Sequence, residues 1–164
     1  MTSNDDAIGG HRVPVARIMR LPHAADLPPL IYDSAQAAGL DLVAAVPAGA
    51  PVVIAPGRRA VIPTGFAFAL PPELEGQIRS RSGLALHFGV TVLNSPGTLD
   101  PDYRGELHVI LANFGDEPFT VTRGAKIAQL VLAPTVQAII HEVEGLDETT
   151  RGIRGFGSTG TKSS

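Results

Sequence analysis

The apolar residues of this chain come in short runs, and proline or glycine interrupts the intervals between them. The runs recur about every ten residues with turn-forming residues between them, a pattern typical of an all-β sandwich or barrel. The chain contains 14 prolines and 18 glycines, and helices tolerate neither residue in their interiors. We therefore predict an all-β fold. The predicted strands are 13–18, 40–43, 52–54, 60–62, 66–70, 90–93, 107–111, 119–121, 127–132 and 136–143.

The remaining features predict a single domain with loose ends. Short helices are expected only at 71–74 and 82–87. A chain of 164 residues is long enough for one core of ordinary size, and no internal repeat or second boundary is visible. From residue 144 onward the sequence becomes acidic and then rich in Gly, Ser and Thr, which is typical of a flexible tail. We expect a flexible start at 1–11, a β domain at 12–143 and a flexible C-terminal segment at 144–164.

Composition and charge exclude several classes of protein. The chain has no cysteine, which removes disulfides, thiolate catalysis and cysteine-based zinc sites, and its five histidines lack metal-ligand spacing. A net charge of −3 argues against a broad nucleic-acid-binding face, although small phosphorylated ligands remain compatible with it. Asp5 and Asp6 stand where a signal peptide would be basic, and no apolar stretch could span a bilayer. We expect a cytoplasmic protein with no membrane or direct nucleic-acid partner.

Residues 97–106 carry the side chains of a reaction centre between glycines. A turn built only for structure needs Gly, Pro and Asp, but it has no use for the adjacent pair Tyr103 and Arg104. Asp100 is the candidate general base that would orient and deprotonate a water molecule, while Asp102 is expected to stabilise the turn. The alternative is that both carboxylates are turn residues only.

Residues 79–83 follow a strand-like segment and open a predicted helical turn. A guanidinium from Arg81, a hydroxyl from Ser82 and backbone N–H groups at a helix start together make an anion site. The alternative is that Ser82 is a helix N-cap and that the neighbouring arginines are solvated.

The C-terminal residues 151–160 cannot pack a core, because four of them are glycines. Glycines let a backbone approach a ligand closely, Phe156 offers a flat apolar face, and Arg151, Ser158 and Thr159 offer polar groups. We predict that this segment becomes ordered over a nucleotide, with Phe156 stacked on a base. The alternative is a low-complexity terminus without a specific role.

These segments, taken together, resemble the five ordered motifs of the trimeric dUTPases, the deoxyuridine triphosphate nucleotidohydrolases. The resemblance spans residues 38–160, and the motifs follow one another in the family's order. Their positions in this chain are 38–42, 81–85, 97–106 with Asn94 just upstream, 124–130 and 151–160.

The resemblance implies a jelly-roll fold of the β-clip type, a β-sandwich-like domain that forms a homotrimer. Three active sites would lie at subunit boundaries, each assembled from three chains, with the C-terminal arm of one subunit closing over a site formed by the others. The implied reaction is Mg²⁺-dependent hydrolysis of dUTP to dUMP and pyrophosphate, with water attacking the α-phosphorus. It would limit uracil incorporation into DNA and supply dUMP for dTMP synthesis. Mg²⁺ would be held by the phosphates and water, without a direct protein ligand.

Family roles transfer to matching positions of this sequence. Asp100 would activate the water, Gln129 would hold the α-phosphate or that water, and Asp41 would support the metal through its water shell. The phosphate chain would be held by Arg81, Ser82 and Gly83. Tyr103 would lie under the deoxyribose, so that a 2′-hydroxyl clashes. Uracil would occupy a hairpin at about 90–99 with Asn94, Gly97, Thr98 and Leu99. The arm would add Arg151, Phe156, Gly157, Ser158 and Thr159.

The sequence departs from the family pattern at two positions and leaves two alternatives. Arg154 stands where the fifth motif often has glycine, and Leu40 stands where tyrosine is frequent. The first alternative is dCTP deaminase, which shares the fold but uses a glutamate three residues before an asparagine. Here Ile110 precedes Asn113 at that spacing, so the group that transfers protons in deamination is missing. The second alternative is a nucleotide sensor without turnover.

Overall fold

The computed structural model describes residues 7–8 and 11–153, and most of them belong to short antiparallel strands or to the turns between them. One α-helix and one short 3₁₀-helix interrupt the strands of this described part. The elements are β1 (Ala7–Ile8), β2 (His11–Arg12), β3 (Arg17–Arg20), the 3₁₀-helix (Pro22–Ala24), β4 (Leu40–Val43), β5 (Val52–Ile54), β6 (Arg59–Ala69), β7 (Leu74–Arg79), α1 (Ser82–Phe88), β8 (Val90–Val92), β9 (Gly97–Leu99), β10 (Glu106–Asn113), β11 (Phe119–Val121) and β12 (Lys126–Pro134).

Two four-stranded sheets enclose the core. One has the strand order β3-β6-β10-β8 and the other β4-β12-β7-β9, while β11 pairs with β5 and β1 pairs with β2. Every pair is antiparallel. Apolar side chains from both large sheets fill the space between them, among them Leu42, Ile62, Phe66, Leu111 and Leu130. The predicted all-β single domain is confirmed.

Strand β6 is longer than predicted, because it joins the expected strands 60–62 and 66–70 into one. Proline and glycine at 63 and 65 suggested a break, but the partner β10 has a register shift between Glu106 and His108 opposite them. Gly65 takes a φ of +76°, which residues with a side chain rarely adopt. The buried Thr64 hydroxyl donates to the Leu107 carbonyl at 2.7 Å and holds the two strands together across this bulge.

The helices are short and only partly as predicted. The expected helix at 82–87 is present as α1, which ends at Phe88 and is followed by Gly89 in a left-handed conformation with a φ of 65°. The expected helix at 71–74 is wrong: Leu74 N–H donates to the Pro71 carbonyl in a single turn, and β7 begins at once. In the described ranges, no helix has the length and apolar character needed to cross a membrane.

The predicted hairpin at 90–99 and the predicted strand at 136–143 are both wrong, because neither segment has, among the described residues, the hydrogen-bonding partner that the prediction requires. The predicted hairpin at 90–99 is a link between sheets, because β8 pairs with β10 while β9 pairs with β7. Residues 136–143 form no strand, since this segment finds no partner within the described chain. Its apolar side chains are left exposed, with Val136 at 90% and Ile140 at 87%.

Candidate active site

A cleft of about 400 Å³ opens where β4, β12 and the start of α1 meet. In strand β12, Gln129 lies opposite Asp41 of β4 on one side and opposite Arg79 of β7 on the other. This register brings three separate motifs of the sequence to one place. The predicted residues that line the cleft are Asp41, Arg81, Ser82, Gly83 and Gln129.

A chain of alternating charges begins with Arg81 and Asp41 in the cleft and continues beyond it. One Asp41 carboxylate oxygen lies 3.1 Å from Nε of Arg81, and the other lies 2.7 Å from Nζ of Lys126. The same Lys126 ammonium lies 2.7 Å from the Asp33 carboxylate. Hydrogen bonds to Asp33 and then to Asp41 raise the pKa of Lys126, and the bond to Lys126 lowers the pKa of Asp33. Asp41 therefore has both oxygens engaged, and this holds Arg81 at the cleft.

Lys126 and Asp33 were not among the predicted site residues. Lys126 falls inside the fourth motif, at residues 124–130, so the motif itself was the signal that could have found it. Asp33 belongs to no motif. It lies beside Lys126 because the segment before β4 folds back on β4, where Tyr32 and Leu40 form an isolated antiparallel β-bridge.

Gln129 is held in one orientation. Its side-chain amide donates to the Ser80 carbonyl at 3.1 Å. Its side-chain oxygen faces Gly39, where a built Cβ would lie only 3.2 Å away. An amide nitrogen carries two hydrogens, so one remains for a ligand oxygen in the cleft.

The start of α1 differs from the N-cap alternative for Ser82. Arg81 occupies the N-cap position with extended backbone angles and makes no side-chain capping bond, and Ser82 is the first helical residue. A Cβ at Gly83 would meet nothing within 4 Å, so this side of the helix is open. Ser82 and Gly83 thus face free space beside the Arg81 guanidinium.

Asp100 lies in a different cavity from these residues. It lines a polar cavity of about 870 Å³ together with Asp102, Arg104 and Arg17. The turn that carries it is closed by a hydrogen bond from Tyr103 N–H to the Asp100 carbonyl at 3.2 Å. A single chain therefore does not bring the candidate base to the cleft of Arg81 and Gln129.

The loop after Asp100 is braced by its own side chains. Arg104 Nη1 donates to the Pro101 carbonyl at 2.6 Å and to the Tyr103 carbonyl at 2.9 Å. The Tyr103 hydroxyl donates to the Glu106 carbonyl at 3.1 Å, while the residue as a whole is 46% exposed. Glu106 is fixed in turn, since its carboxylate accepts from Gly65 N–H at 2.7 Å. The Tyr103 side chain is thus anchored at its hydroxyl while much of its surface is exposed.

The predicted uracil-binding residues lie along the link between the sheets. Gly97 and Leu99 are buried in β9, where they pair with Ile78 and Gly76 of β7, while Thr98 is exposed. The Asn94 amide nitrogen faces Gly97, 3.1 Å from where a Cβ would stand. Leu99 is a core residue, so any ligand contact from it would come from its backbone.

The predicted C-terminal arm is only partly within the described chain. Residues 135–153 contain neither helix nor strand, and Arg151 lies near their end. The predicted residues Phe156, Gly157, Ser158 and Thr159, together with Arg154, lie outside the described residues.

The antiparallel sheets and the cleft beside Arg81 define an all-β protein in which residues of three separate motifs lie together. The dUTPase family model matches residues 26–160. The chain therefore belongs to the dUTPase family and is an enzyme of that family, as its five motifs predict.

Individual relatives agree with this assignment. The chain is 58% identical over 143 residues to a deoxyuridine 5′-triphosphate nucleotidohydrolase of Methylocella silvestris, covering 87% of this chain and 89% of that one. It is 54% identical over 149 residues to the enzyme of the same name from Rhizobium meliloti, covering 91% and 93%.

Solved structures share the fold. The dUTPase of Staphylococcus bacteriophage 80alpha, solved with dUpNHpp, aligns with a TM-score of 0.77 at 24% identity, covering 89% of this chain and 98% of that one. A dUTPase from phage phi11 of S. aureus, solved to show the coordination of a structural Mg(II) ion, aligns with a TM-score of 0.69 at 22% identity, covering 80% and 97%.

Proposed function

We propose that this enzyme hydrolyses dUTP to dUMP and pyrophosphate with the help of Mg²⁺. Water attacks the α-phosphorus, the new P–O bond forms there, and the bond to the bridging oxygen of the β-phosphate breaks as pyrophosphate leaves. The observation that carries the proposal is the cleft in which Asp41, Arg81, Ser82 and Gln129 meet from three separated motifs. The names of the relatives support the substrate.

Arg81, Ser82 and Gly83 bind the phosphate chain. Arg81 supplies a guanidinium that can make two parallel hydrogen bonds to phosphate oxygens, and the Asp41 carboxylate orients it from behind. The free N–H of Gln129 holds the α-phosphate or the attacking water. Together these groups position the reacting phosphorus and stabilise negative charge as it moves to the leaving group.

Asp100 acts as the general base that orients the water and accepts its proton. Since Asp100 lines a separate cavity of its own chain, the proposal requires that it reach the cleft of another copy. We propose a homotrimer whose sites lie at the subunit boundaries, with residues 144–164 as an arm that closes over a neighbour's site.

The residues of the cleft are compatible with a metal ion that is bound mainly by the phosphates of the substrate and not by protein side chains. Asp41 is the one acidic side chain among the described residues that line the cleft, and both its oxygens are engaged by Arg81 and Lys126. Mg²⁺ dehydrates reluctantly and is commonly held by substrate phosphates and water. Asp41 would support the ion through its water shell, and the bound ion would neutralise part of the triphosphate charge.

Base and sugar are selected near Asn94 and Tyr103. The uracil edge pairs with the Asn94 side chain and with backbone groups of the 94–99 segment, whose tight course leaves no room for the methyl group of thymine. The exposed Tyr103 side chain packs under the deoxyribose and excludes a 2′-hydroxyl. Phe156 of the arm stacks on the base, and Arg151, Ser158 and Thr159 contact the outer phosphates.

The test is pyrophosphate release from dUTP with Mg²⁺, compared with dCTP, dTTP and UTP. We expect release from dUTP that exceeds release from the other nucleotides by several orders of magnitude, because crowding at base and sugar excludes them. Binding of dUTP without release would support the nucleotide sensor instead. Conversion of dCTP to dUTP would support the deaminase, although position 110 is an isoleucine and Asn113 is buried with its amide bonded to the Ile54 and Glu117 carbonyls.

We further propose that the reaction takes place in the cytoplasm, where its product dUMP is the precursor for dTMP synthesis and where removal of dUTP limits uracil incorporation into DNA. The absence of cysteine from the sequence is compatible with a reducing compartment. Fractionation of cells that express the tagged protein tests this proposal, with the enzyme expected in the soluble cytoplasmic fraction.

A further inference from the structure

Gly105 lies between Arg104 and Glu106, two residues that form hydrogen bonds with Tyr103. The backbone conformation of Gly105 does not require a glycine. Within the described chain, positive φ angles occur at other glycines, such as Gly65 and Gly89, and not at Gly105. The local backbone would therefore accept an ordinary residue at this position.

The space beside Gly105 is filled by the Tyr103 ring. A Cβ at position 105 would lie 2.6 Å from Cζ and 3.1 Å from Cε2 of that ring, and still closer to the hydroxyl oxygen. Real Cβ atoms do not approach other heavy atoms so closely, so a side chain at 105 would displace the ring. Since Tyr103 is 46% exposed and is not part of the core, its ring would swing into solvent without disturbing the core.

The hydroxyl bond of Tyr103 depends on the same arrangement. The ring must lie across Gly105 for the hydroxyl to reach the Glu106 carbonyl at 3.1 Å. The backbone of the loop, by contrast, is held by Arg104 through its bonds to the Pro101 and Tyr103 carbonyls. Displacing the ring should thus leave the loop itself in place.

We propose that Gly105 is a positioning residue for substrate specificity, because its missing side chain lets the hydroxyl end of the Tyr103 ring pack against the loop, from where the ring can crowd a ribose 2′-hydroxyl. This inference rests on the proposed function, in which Tyr103 excludes ribonucleotides. With a methyl group at 105, the ring would leave its position and the exclusion would weaken.

The kinetic test compares Gly105→Ala with the wild type on dUTP and UTP. We expect the ratio of kcat/KM for UTP to that for dUTP to rise by about tenfold or more, the scale at which pocket contacts discriminate one small group. Tyr103→Ala should raise the ratio likewise, and Gly105→Ala added to Tyr103→Ala should change it no further. Gly57→Ala is the control, since a Cβ there meets nothing within 4 Å and Gly57 lines neither cavity of the site, so an effect of a Gly→Ala change on stability alone would appear there as well. An unchanged ratio in Gly105→Ala would overturn the inference.

A spectroscopic test does not depend on turnover. The chain has two tyrosines and no tryptophan, so in a Tyr32→Phe background Tyr103 is the sole source of tyrosine fluorescence. We expect Gly105→Ala to increase the quenching of this emission by acrylamide, while Gly57→Ala leaves it unchanged. If dUTP is not hydrolysed by the wild type, the proposed function fails even where the ring moves as expected. If quenching is the same with Gly105→Ala, the ring has not moved and the inference fails by itself.

Discussion

At the scale of single residues, the polar side chains of the cleft are held in place by hydrogen bonds and ion pairs with neighbouring residues. Asp41 is held by Arg81 and Lys126, and Gln129 is held by the Ser80 carbonyl. Fixing these groups before a ligand arrives lowers the cost of ordering them on binding. Asp100 differs, since it faces an open cavity and has room to meet a group from outside its own chain.

Replacing Asp100 by Asn should separate binding from turnover. The amide keeps the size of the carboxylate but cannot accept the proton of water, so we expect kcat to fall about 10²- to 10⁴-fold with KM changed little. Steady-state kinetics with dUTP measure both constants. Asp102→Asn is the matched control in the same turn, and its kcat should stay near that of the wild type. A normal kcat for Asp100→Asn would remove this residue from the mechanism.

The Asp26–Arg123 pair should make stability depend on pH. The hydrogen bond from Arg123 lowers the pKa of Asp26 in the folded protein, so this contribution is present above the unfolded pKa of about 4 and is lost as pH falls through the folded value. We expect Asp26→Asn to be less stable than the wild type at pH 7, with the difference shrinking below about pH 4.

Urea unfolding at a series of pH values measures this difference. Asp147→Asn removes the same charge from an exposed position near the end of the described chain and serves as control. A difference for Asp26→Asn that stays constant down to pH 2 would show that the carboxylate charge is not what the pair contributes.

At the scale of elements, the strands were predicted best where a partner strand lies in the same sheet with a regular register. Val52–Ile54 and Phe119–Val121 pair with each other residue by residue, and both match the sequence prediction. The continuous β6 was not predictable, because its bulge depends on the register shift in β10. The run 136–143 has the apolar character of a strand, but no local pattern reveals that its partner is absent from the described chain.

The bulge predicts a clear effect of Gly65→Ala. The φ of +76° strains any residue with a side chain, and the added methyl group would collide with the Cβ of the buried Ala24. We expect a loss of about 2–4 kcal/mol in the free energy of unfolding, the sum of backbone strain and overpacking. Gly57→Ala measures the backbone strain alone, because Gly57 has a φ of 69° and an added Cβ would have nothing within 4 Å.

Chemical denaturation in urea gives both values. The cost of Gly57→Ala should be about 1–2 kcal/mol, clearly below that of Gly65→Ala. Equal costs for the two substitutions would mean that the contact with Ala24 relaxes without penalty.

At the scale of the whole molecule, the structure divides the predicted site between two cavities. The motifs at 38–42, 81–85 and 124–130 were predicted to act together, and sheet register brings them into one cleft. The sequence could predict that Asp100 belongs to the site, but only the fold shows that Asp100 lines a different cavity from the other predicted residues. No spacing along the sequence encodes that separation, because it arises from how the two sheets pack. The homotrimer that we propose, with sites shared between copies, would reunite these groups.

A complementation measurement tests this central claim most directly. The variants Asp100→Asn and Arg81→Ala are each expected to be nearly inactive. Equal amounts of the two variants are mixed, unfolded and refolded together. If each site takes Asp100 from one copy and Arg81 from another, random assembly restores about a quarter of wild-type dUTP hydrolysis per site. If the mixture has no more activity than the two variants refolded separately, base and phosphate cleft act within one chain, and the shared-site account is wrong.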